Sequence, residues 1–346
     1  MSKSKKILIV VIVVFSVTLS SLSFYFYQVI NTPNILIMSE EPQSIYVPEG
    51  ATFQMVLDSL NKDKIINDVS SFAFLARIMK YDEKIKPGHY ELQPEMSNRE
   101  AIIKLRSGMQ TPVDLTFNNV RLDEELAIKI TNDIMLDAEE FLEYLQDSTF
   151  IAGYGFTPQT IKCMFIPNTY EVYWTITAEE LFDRMNQEYQ QFWNVERQRQ
   201  AAELELSTEE ICTLASIVQA ETKMNEESKT VAGLYLNRIK RGMLLQADPT
   251  LIYAHGDYSI RRVLNKHKEI DSPYNTYLYP GLPPGPINSP SIHSIDAVLN
   301  HEDHSYLYMV AKEDFSGYHY FSKSLSQHLE YAKRYQRALN KARLYR

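Results

Sequence analysis

An apolar run from Ile7 to about Phe26, without a single charged residue, constrains this chain more than any other feature. About twenty residues of helix span roughly 30 Å, the thickness of a bilayer's hydrocarbon core. Lys3, Lys5 and Lys6 precede the run, and the next lysine is Lys62. Positive charge stays on the cytoplasmic side, so this asymmetry predicts a cytoplasmic N-terminus and an extracytoplasmic remainder. A cleaved signal peptide is the competing reading; its apolar core is shorter and ends in small residues. Here the run closes on Phe24, Tyr25, Phe26 and Tyr27, which suit a membrane interface. The expectation is a stub and anchor over 1–30, with no second span.

Beyond the anchor, 346 residues leave room for two folded domains. The formal net charge is -9, which argues against nucleic acid as a partner, since that needs a basic footprint. The two cysteines, Cys163 and Cys212, form no C-x-x-C pair, which excludes a cysteine zinc site or a thioredoxin-like motif. They read as small buried apolar side chains.

Residues 31–42 hold two prolines and read as a linker. Over 43–110 the pattern is β-α-α-β-α. Ile45 to Val47 make a strand, Phe53 to Leu60 and Phe72 to Met79 have helical spacing, Tyr90 and Leu92 alternate, and Arg99 to Leu105 precede Gly108. This unit has no motif-level acid and reads as a binding or spacing module. The second domain, 111–346, opens with the alternation Val113, Leu115, Phe117. Asp123 is placed to cap a helix running to Ile130. Thr177 with Glu180, and Ser207 with Glu210, are capping boxes. Asn225 is placed to cap a helix carrying Val231, Leu234, Tyr235 and Ile239. Tyr306 to Val310 and Tyr318 to Phe321 look like strands, and Ser326 to about Tyr345 like a closing amphipathic helix. The fold class is therefore α+β.

The helix after Ser207 carries Ile211, Leu214, Ala215 and Val218 at i, i+3, i+4 and i+7, and Glu221 is the next member of that stripe. Seven residues return a helix to within about 20° of its start, so a carboxyl group is aimed inward. Burial disfavours the charged form, and a carboxylic acid still protonated near neutrality suits general-acid cleavage of a glycosidic bond. The pattern equally fits a partly buried glutamate paired with Arg238 or Arg241.

Two further clusters follow: Gln246-x-Asp248-Pro-Thr250, and Ser272-Pro-Tyr-Asn-Thr-Tyr277 with Gly281-Leu-Pro-Pro-Gly-Pro-Ile287. Proline stiffens such loops and glycine lets backbone approach a ligand. Tyrosine and asparagine stack on sugar rings and bond hydroxyls, although proline-rich loops are as often purely structural. His301 and His304 stand at H-x-x-H spacing without a third ligand, so no metal is expected.

Together these pieces resemble the YceG-like family of endolytic murein transglycosylases. The resemblance rests on the single N-terminal span, a small LysM-like domain, Leu214-Ala-Ser-Ile-Val-Gln-Ala-Glu-Thr222, Asn237-Arg238, the two clusters above, and Gly317-Tyr-His-Tyr-Phe321, all in the same order. Where family members often carry Glu-x-Glu-Thr, this chain has Gln219-Ala-Glu221-Thr222. Where they carry Phe-Pro-Asp-Thr-Tyr, it has Ile166-Pro-Asn-Thr-Tyr170. The first departure puts the catalytic role on Glu221 and argues against a carboxylate dyad within the helix; the second removes a proton-transfer role from Asn168.

The resemblance implies a larger mixed α/β catalytic domain that cleaves between N-acetylmuramic acid and N-acetylglucosamine to leave a 1,6-anhydro end. Glu221 is then the catalytic residue. Gln246, Asp248, Thr250, Tyr274, Asn275, Thr276, Tyr277 and His319 are the expected substrate-binding residues, gathered in one cleft. No cofactor is implied. The partners implied are peptidoglycan glycan strands, a bacterial inner membrane reached through one helix, and peptidoglycan synthases. A hydrolytic muramidase, with Asp248 as second carboxylate, and a non-catalytic peptidoglycan-binding anchor are the alternatives.

Overall fold

The computed structural model describes residues 2–36, 41–260 and 262–342. It divides into two compact units, 1–115 with 133–135 and 170–176, and the remainder.

In the first unit, α1 (Lys3–Asn31) is the one helix among the described residues long and apolar enough to cross a membrane, and Ile7 to Phe24 leave their large apolar side chains uncovered. Then come β1 (Gln43–Val47), α2 (Phe53–Lys62), α3 (Val69–Ile78), β2 (Gly88–Leu92) and α4 (Asn98–Ser107), the order expected from sequence. β1 and β2 pair antiparallel, with Ile45 opposite Tyr90 and Val47 opposite Gly88. Period-two burial puts Ile45, Val47, Tyr90 and Leu92 against Leu60, Phe72, Ile102 and Leu105. Each helix starts on a side-chain cap: Thr52 for α2, Asp68 for α3, and Ser97 with Glu100 as a reciprocal box for α4. Gly108, at φ +75°, ends α4 in the left-handed conformation that glycine adopts without penalty.

The expected linker is built into this unit as far as it is described; residues 37–40 lie outside the described residues. Pro33 and Ile35 form bridges to Ser97 and Ile66. Asn34 donates to Asp68 O at 2.9 Å and Asn98 Oδ1 at 2.7 Å, and Asn98 donates to Val29 O in α1 at 2.9 Å. A buried asparagine must fill its hydrogen bonds, and these two do so by clamping the end of α1 to α3 and α4.

Next in sequence, β3 (Val113–Phe117) pairs with β4 (Asn168–Val172). Between them lie α5 (Asp123–Thr131), α6 (Ala138–Gln146) and α7 (Ser148–Ala152). Asp123 begins α5 rather than capping it. Glu125 Oε2 instead accepts from Arg121 N at 3.0 Å and Leu122 N at 3.4 Å, so the free amides are met from inside the helix.

The second unit continues with α8 (Ala178–Phe192), α9 (Val195–Glu203), α10 (Thr208–Glu221), α11 (Ser228–Lys240), α12 (Asp248–His255) and α13 (Ile292–Leu299). β5 (Tyr308–Ala311) and β6 (His319–Ser322) form an antiparallel hairpin on which α14 (Leu325–Lys341) packs. The expected end of this last helix, beyond residue 342, lies outside the described residues. Both expected capping boxes open α8 and α10. Asn225 heads a short 3-10 turn, Asn225–Glu227, and α11 begins only at Ser228, with Glu227 in the cap position.

α10 is the centre of this unit and touches α9, α11, α12 and α13. It is buried on every side from Ile211 to Val218, not along one stripe as its pattern suggested. Its small polar side chains permit this. Thr213 donates to Glu209 O at 2.7 Å and Ser216 to Thr213 O at 2.7 Å, so neither brings an unpaired group inside.

Candidate active site

α10 stops at Glu221 because Thr222 turns extended (φ -133°, ψ 140°) while its N–H still reaches Val218 O. The glutamate is thus fixed at the tip of the most buried helix in the unit. α11, which packs against α10, carries Tyr235, buried to 2% exposure, and its hydroxyl donates to Glu221 Oε1 at 2.7 Å. A buried phenol seeks a partner for its O–H, and this one finds the carboxyl.

Glu221 and Tyr235 line a cavity of about 320 Å³. Gln246 enters it ahead of α12, Asp248 from the first position of that helix, Tyr277 from the following loop, and Val310 and His319 from the β5–β6 hairpin. Burial, above all, raises the Glu221 pKa from the ordinary 4.5 to about 7. The Tyr235 hydrogen bond pulls it down, the Asp248 charge adds to the rise, and Arg238 offsets part of it. Arg238 makes no ion pair with Glu221. Its guanidinium donates to Leu307 O at 2.7 Å, Leu245 O at 2.6 Å and Leu244 O at 3.3 Å, bracing the cavity wall. Of the two sequence readings of Glu221, the arginine-paired one is absent among the described residues.

Asp248 accepts from the Tyr277 hydroxyl at 2.5 Å. Burial first, and that bond second, push the Tyr277 pKa far up, so it stays a donor. His319 is held by both oxygens of the buried Glu227, which accept from His319 N at 2.7 Å and Nδ1 at 2.9 Å. The Nδ1 proton is thereby fixed, which leaves Nε2 as the nitrogen available to a ligand.

Of the residues expected to contact substrate, Gln246, Asp248, Tyr277 and His319 share this cavity with Glu221. The other four do not line it. Thr250, Asn275 and Thr276 are buried to 2% or less and are used up internally. Thr250 Oγ1 and Thr276 Oγ1 lie 2.8 Å apart, and Ala247 N donates to Thr276 Oγ1 at 3.0 Å. Asn275 Nδ2 donates to Lys268 O and Ile270 O. Tyr274 packs on Tyr253, ring centroids 4.8 Å apart. In sequence these look like exposed sugar contacts; in space they form the frame that sets Gln246 and Tyr277 in place.

Sequence reasoning missed Tyr235 and Glu227 as site residues. Tyr235 was visible only as the one tyrosine in an aliphatic stripe. Glu227 had no local signal, since its partner lies 92 residues away. The Gly281–Ile287 stretch is a strap. Ile287 N donates to Ser216 Oγ at 3.0 Å and Asn288 Nδ2 to Ser216 O at 2.9 Å, and a side chain at Gly285 would collide with the Gln159 carbonyl. His304 is equally structural, with Nε2 2.9 Å from Thr230 O and Nδ1 accepting from Tyr306 N at 3.1 Å. Cys163 and Cys212 are both buried and free.

Residues 45–334 match the YceG-like family. A protein named endolytic murein transglycosylase from Streptococcus pneumoniae serotype 2 (strain D39 / NCTC 7466) is 28% identical over 342 residues, covering 88% of this chain and 61% of that protein. The chain thus spans about three fifths of the length of its pneumococcal relatives. A protein of the same name from Bacillus subtilis (strain 168) is 27% identical over 313 residues, 86% of each chain. A crystal structure of a YceG-like protein from Listeria monocytogenes aligns with a TM-score of 0.54 at 28% identity, covering 84% of this chain and 99% of that one.

Proposed function

The chain belongs to the YceG-like family, and on that premise we propose that it is an endolytic lytic transglycosylase of peptidoglycan with Glu221 as its single acid and base. One observation carries this reading: the Glu221 carboxyl faces a cavity and holds its proton up to about pH 7. In the reaction it protonates the glycosidic oxygen as the bond from the muramyl anomeric carbon breaks. The resulting carboxylate then takes the proton of the muramyl 6-hydroxyl as that oxygen closes on the anomeric carbon. The step uses one proton-transfer group and no water. The Tyr235 hydroxyl supports the carboxylate stage, because its hydrogen bond favours the charged form. Tyr277, Asp248, Gln246 and His319 are the groups that hold the sugar.

The presence of Asp248 in the same cavity favours one rival, hydrolysis by two carboxylates. Mass spectrometry of muropeptides released by the protein decides. Anhydro-muramyl ends support the lytic reaction, reducing ends support the hydrolase, and no release leaves only a peptidoglycan-binding anchor.

The remaining proposals rest on layout. α1 anchors the chain in the bacterial inner membrane, with the lysines before it inside and the rest outside. A reporter fused after Arg346 that works only in the cytoplasm would overturn this. Residues 43–110, with their β-α-α-β-α order, act as a LysM-like glycan-positioning domain beside a catalytic domain over 111–346. Cleavage of nascent strands would bring the protein to peptidoglycan synthases.

A further inference from the structure

A second cavity of about 350 Å³ lies one residue away from the first along two separate stretches of chain. Gln219 and Ala220 line it where Glu221 lines the first, and Pro249 lines it where Asp248 lines the first. The end of α10 and the start of α12 therefore form a thin partition between them. The remainder of the wall includes Tyr253, Tyr258 and two cations, Arg121 and Lys223, with no acidic residue. In a chain of net charge -9, that is a local reversal of sign.

The cavity is held open by a buried strut. Lys162, 4% exposed, sits behind it and pairs with Asp123 at 3.0 Å. Its ammonium donates to Arg121 O at 3.1 Å and to the Tyr253 hydroxyl at 3.3 Å, which ties the two walls together. Burial opposes this charge, but Asp123 and Tyr253 outweigh it and keep the lysine protonated. Tyr274 packs on the Tyr253 ring, centroids 4.8 Å apart. The Arg121 guanidinium lies 5.1 Å from the Tyr258 ring centre, and neither it nor Lys223 has an ion-pair partner among the described residues. Glu125, on the adjoining helix turn, is turned to the backbone amides of Arg121 and Leu122.

We propose that this cavity is a binding site for a carboxylate carried by the glycan strand on a muramyl lactyl arm, seated there while the glycosidic oxygen lies at Glu221. This deepens the transglycosylase reading and rests on it. The lactyl arm is a branch whose carboxyl is free in a peptide-free strand and amide-bonded in a peptide-bearing one, where the stem peptide supplies the free carboxylates. A strand running across the partition therefore presents sugar to one cavity and the branch to the other. Arg121 supplies a planar fork for the carboxylate and Lys223 a second point charge. Tyr253 and Tyr258 cover the apolar part of the branch.

The test measures binding without cleavage, so that it reads the same whether or not the protein cuts. The full chain in detergent, carrying Glu221→Gln to stop turnover, is titrated at fixed ionic strength with end-labelled glycan strands. One sample keeps its carboxylates and a second has them converted to methylamides. The expected result is about tenfold tighter binding of the free-carboxylate strands, a preference lost when Arg121→Gln and Lys223→Gln are added. Strands stripped of stem peptides by an amidase, which frees the lactyl carboxylate, separate two sources when compared with and without methylamidation: a preference for the free acid assigns the lactyl carboxylate, and no preference assigns the carboxylates of the stem peptide. Equal affinity for free and methylamidated strands, or a preference that survives both glutamine substitutions, overturns the proposal. Both side chains are exposed, and an unchanged melting temperature excludes unfolding as the cause.

Discussion

The Tyr235 hydroxyl lies 2.7 Å from Glu221 Oε1, joining the tip of α10 to the middle of α11 across 14 residues of sequence. The two groups pull on one proton in opposite directions. Burial keeps it on the glutamate, while the tyrosine's hydrogen bond makes it easier to give away. A group that must donate and then retake a proton is served by that balance.

Replacing Glu221 by Gln is expected to lower strand cleavage by ~10²–10⁴-fold, the range for loss of general acid–base action. The amide keeps the size and can still accept from Tyr235. Release of muropeptides by the purified variant measures this, and retention of more than about a tenth of the activity assigns the acid elsewhere.

The pH dependence follows with a definite sign. The folded pKa of about 7 lies above the ordinary 4.5, so folding favours the protonated carboxyl. Its contribution is fully present below pH 4.5 and is lost as pH rises to 7, a change of about 3 kcal/mol. The Glu221→Gln variant should therefore gain in melting temperature relative to the parent between pH 5 and 8. Cleavage should fall on the alkaline side with an apparent pKa of about 7. A cleavage rate flat from pH 6 to 9 would rule out Glu221 as the proton donor.

Tyr235→Phe removes only a hydroxyl from a buried ring. The Glu221 pKa should rise further, since the lost bond favoured the carboxylate. The alkaline limb of the rate profile should move to higher pH while the rate at its plateau drops. Stability should fall by about 1 kcal/mol for the lost hydrogen bond. Movement of the limb to lower pH is the contrary result.

Glu227→Gln tests the His319 support. The amide offers one acceptor where the carboxylate offered two, so it cannot take both His319 N and Nδ1. Misplacement of a positioning group by about 1 Å can cost 10²-fold in rate. We expect a loss of tenfold or more in kcat, with Glu227→Asp recovering part of it. Activity within twofold of the parent, with the melting temperature unchanged, would make the pair structural.

What was legible in the sequence was local. The caps at Thr177 and Ser207, the stop at Gly108 and the β-α-α-β-α order of the first unit each depend on residues a few positions apart. Glu221 was legible because a charged residue broke an apolar stripe. Its tyrosine, the Glu227–His319 pair and the return of 133–135 and 170–176 to the first unit depend on distant segments meeting. The Ser272–Tyr277 loop misled because tyrosine and asparagine serve equally to bind sugars and to frame a turn. Only burial separates the two uses.

Gln219 stands two residues before Glu221, and its surroundings explain why an amide suits this position. Its Oε1 accepts from Ser291 N at 2.7 Å and the Ser294 hydroxyl at 3.1 Å. Its Nε2 donates to Asn288 Oδ1 at 3.1 Å and Ser289 O at 3.5 Å. A carboxylate could keep the first pair but would face two acceptors in the second. Asn288 cannot turn its amide to help, because its own Nδ2 is committed to Ser216 O at 2.9 Å. Gln219→Glu should therefore destabilise the protein by about 1–3 kcal/mol, the cost of unpaired buried polar groups. Protonation gives the new carboxyl a donor for Asn288, so its folded pKa must exceed its unfolded one. The defect should be small near pH 4 and grow as pH rises through that folded pKa. Melting curves of the variant and parent at pH 4 and 8 check this. A variant as stable as the parent at pH 8 would show that the strap from Asn288 to Ser294 adapts to either residue, and that the amide at Gln219 is not demanded by its neighbours.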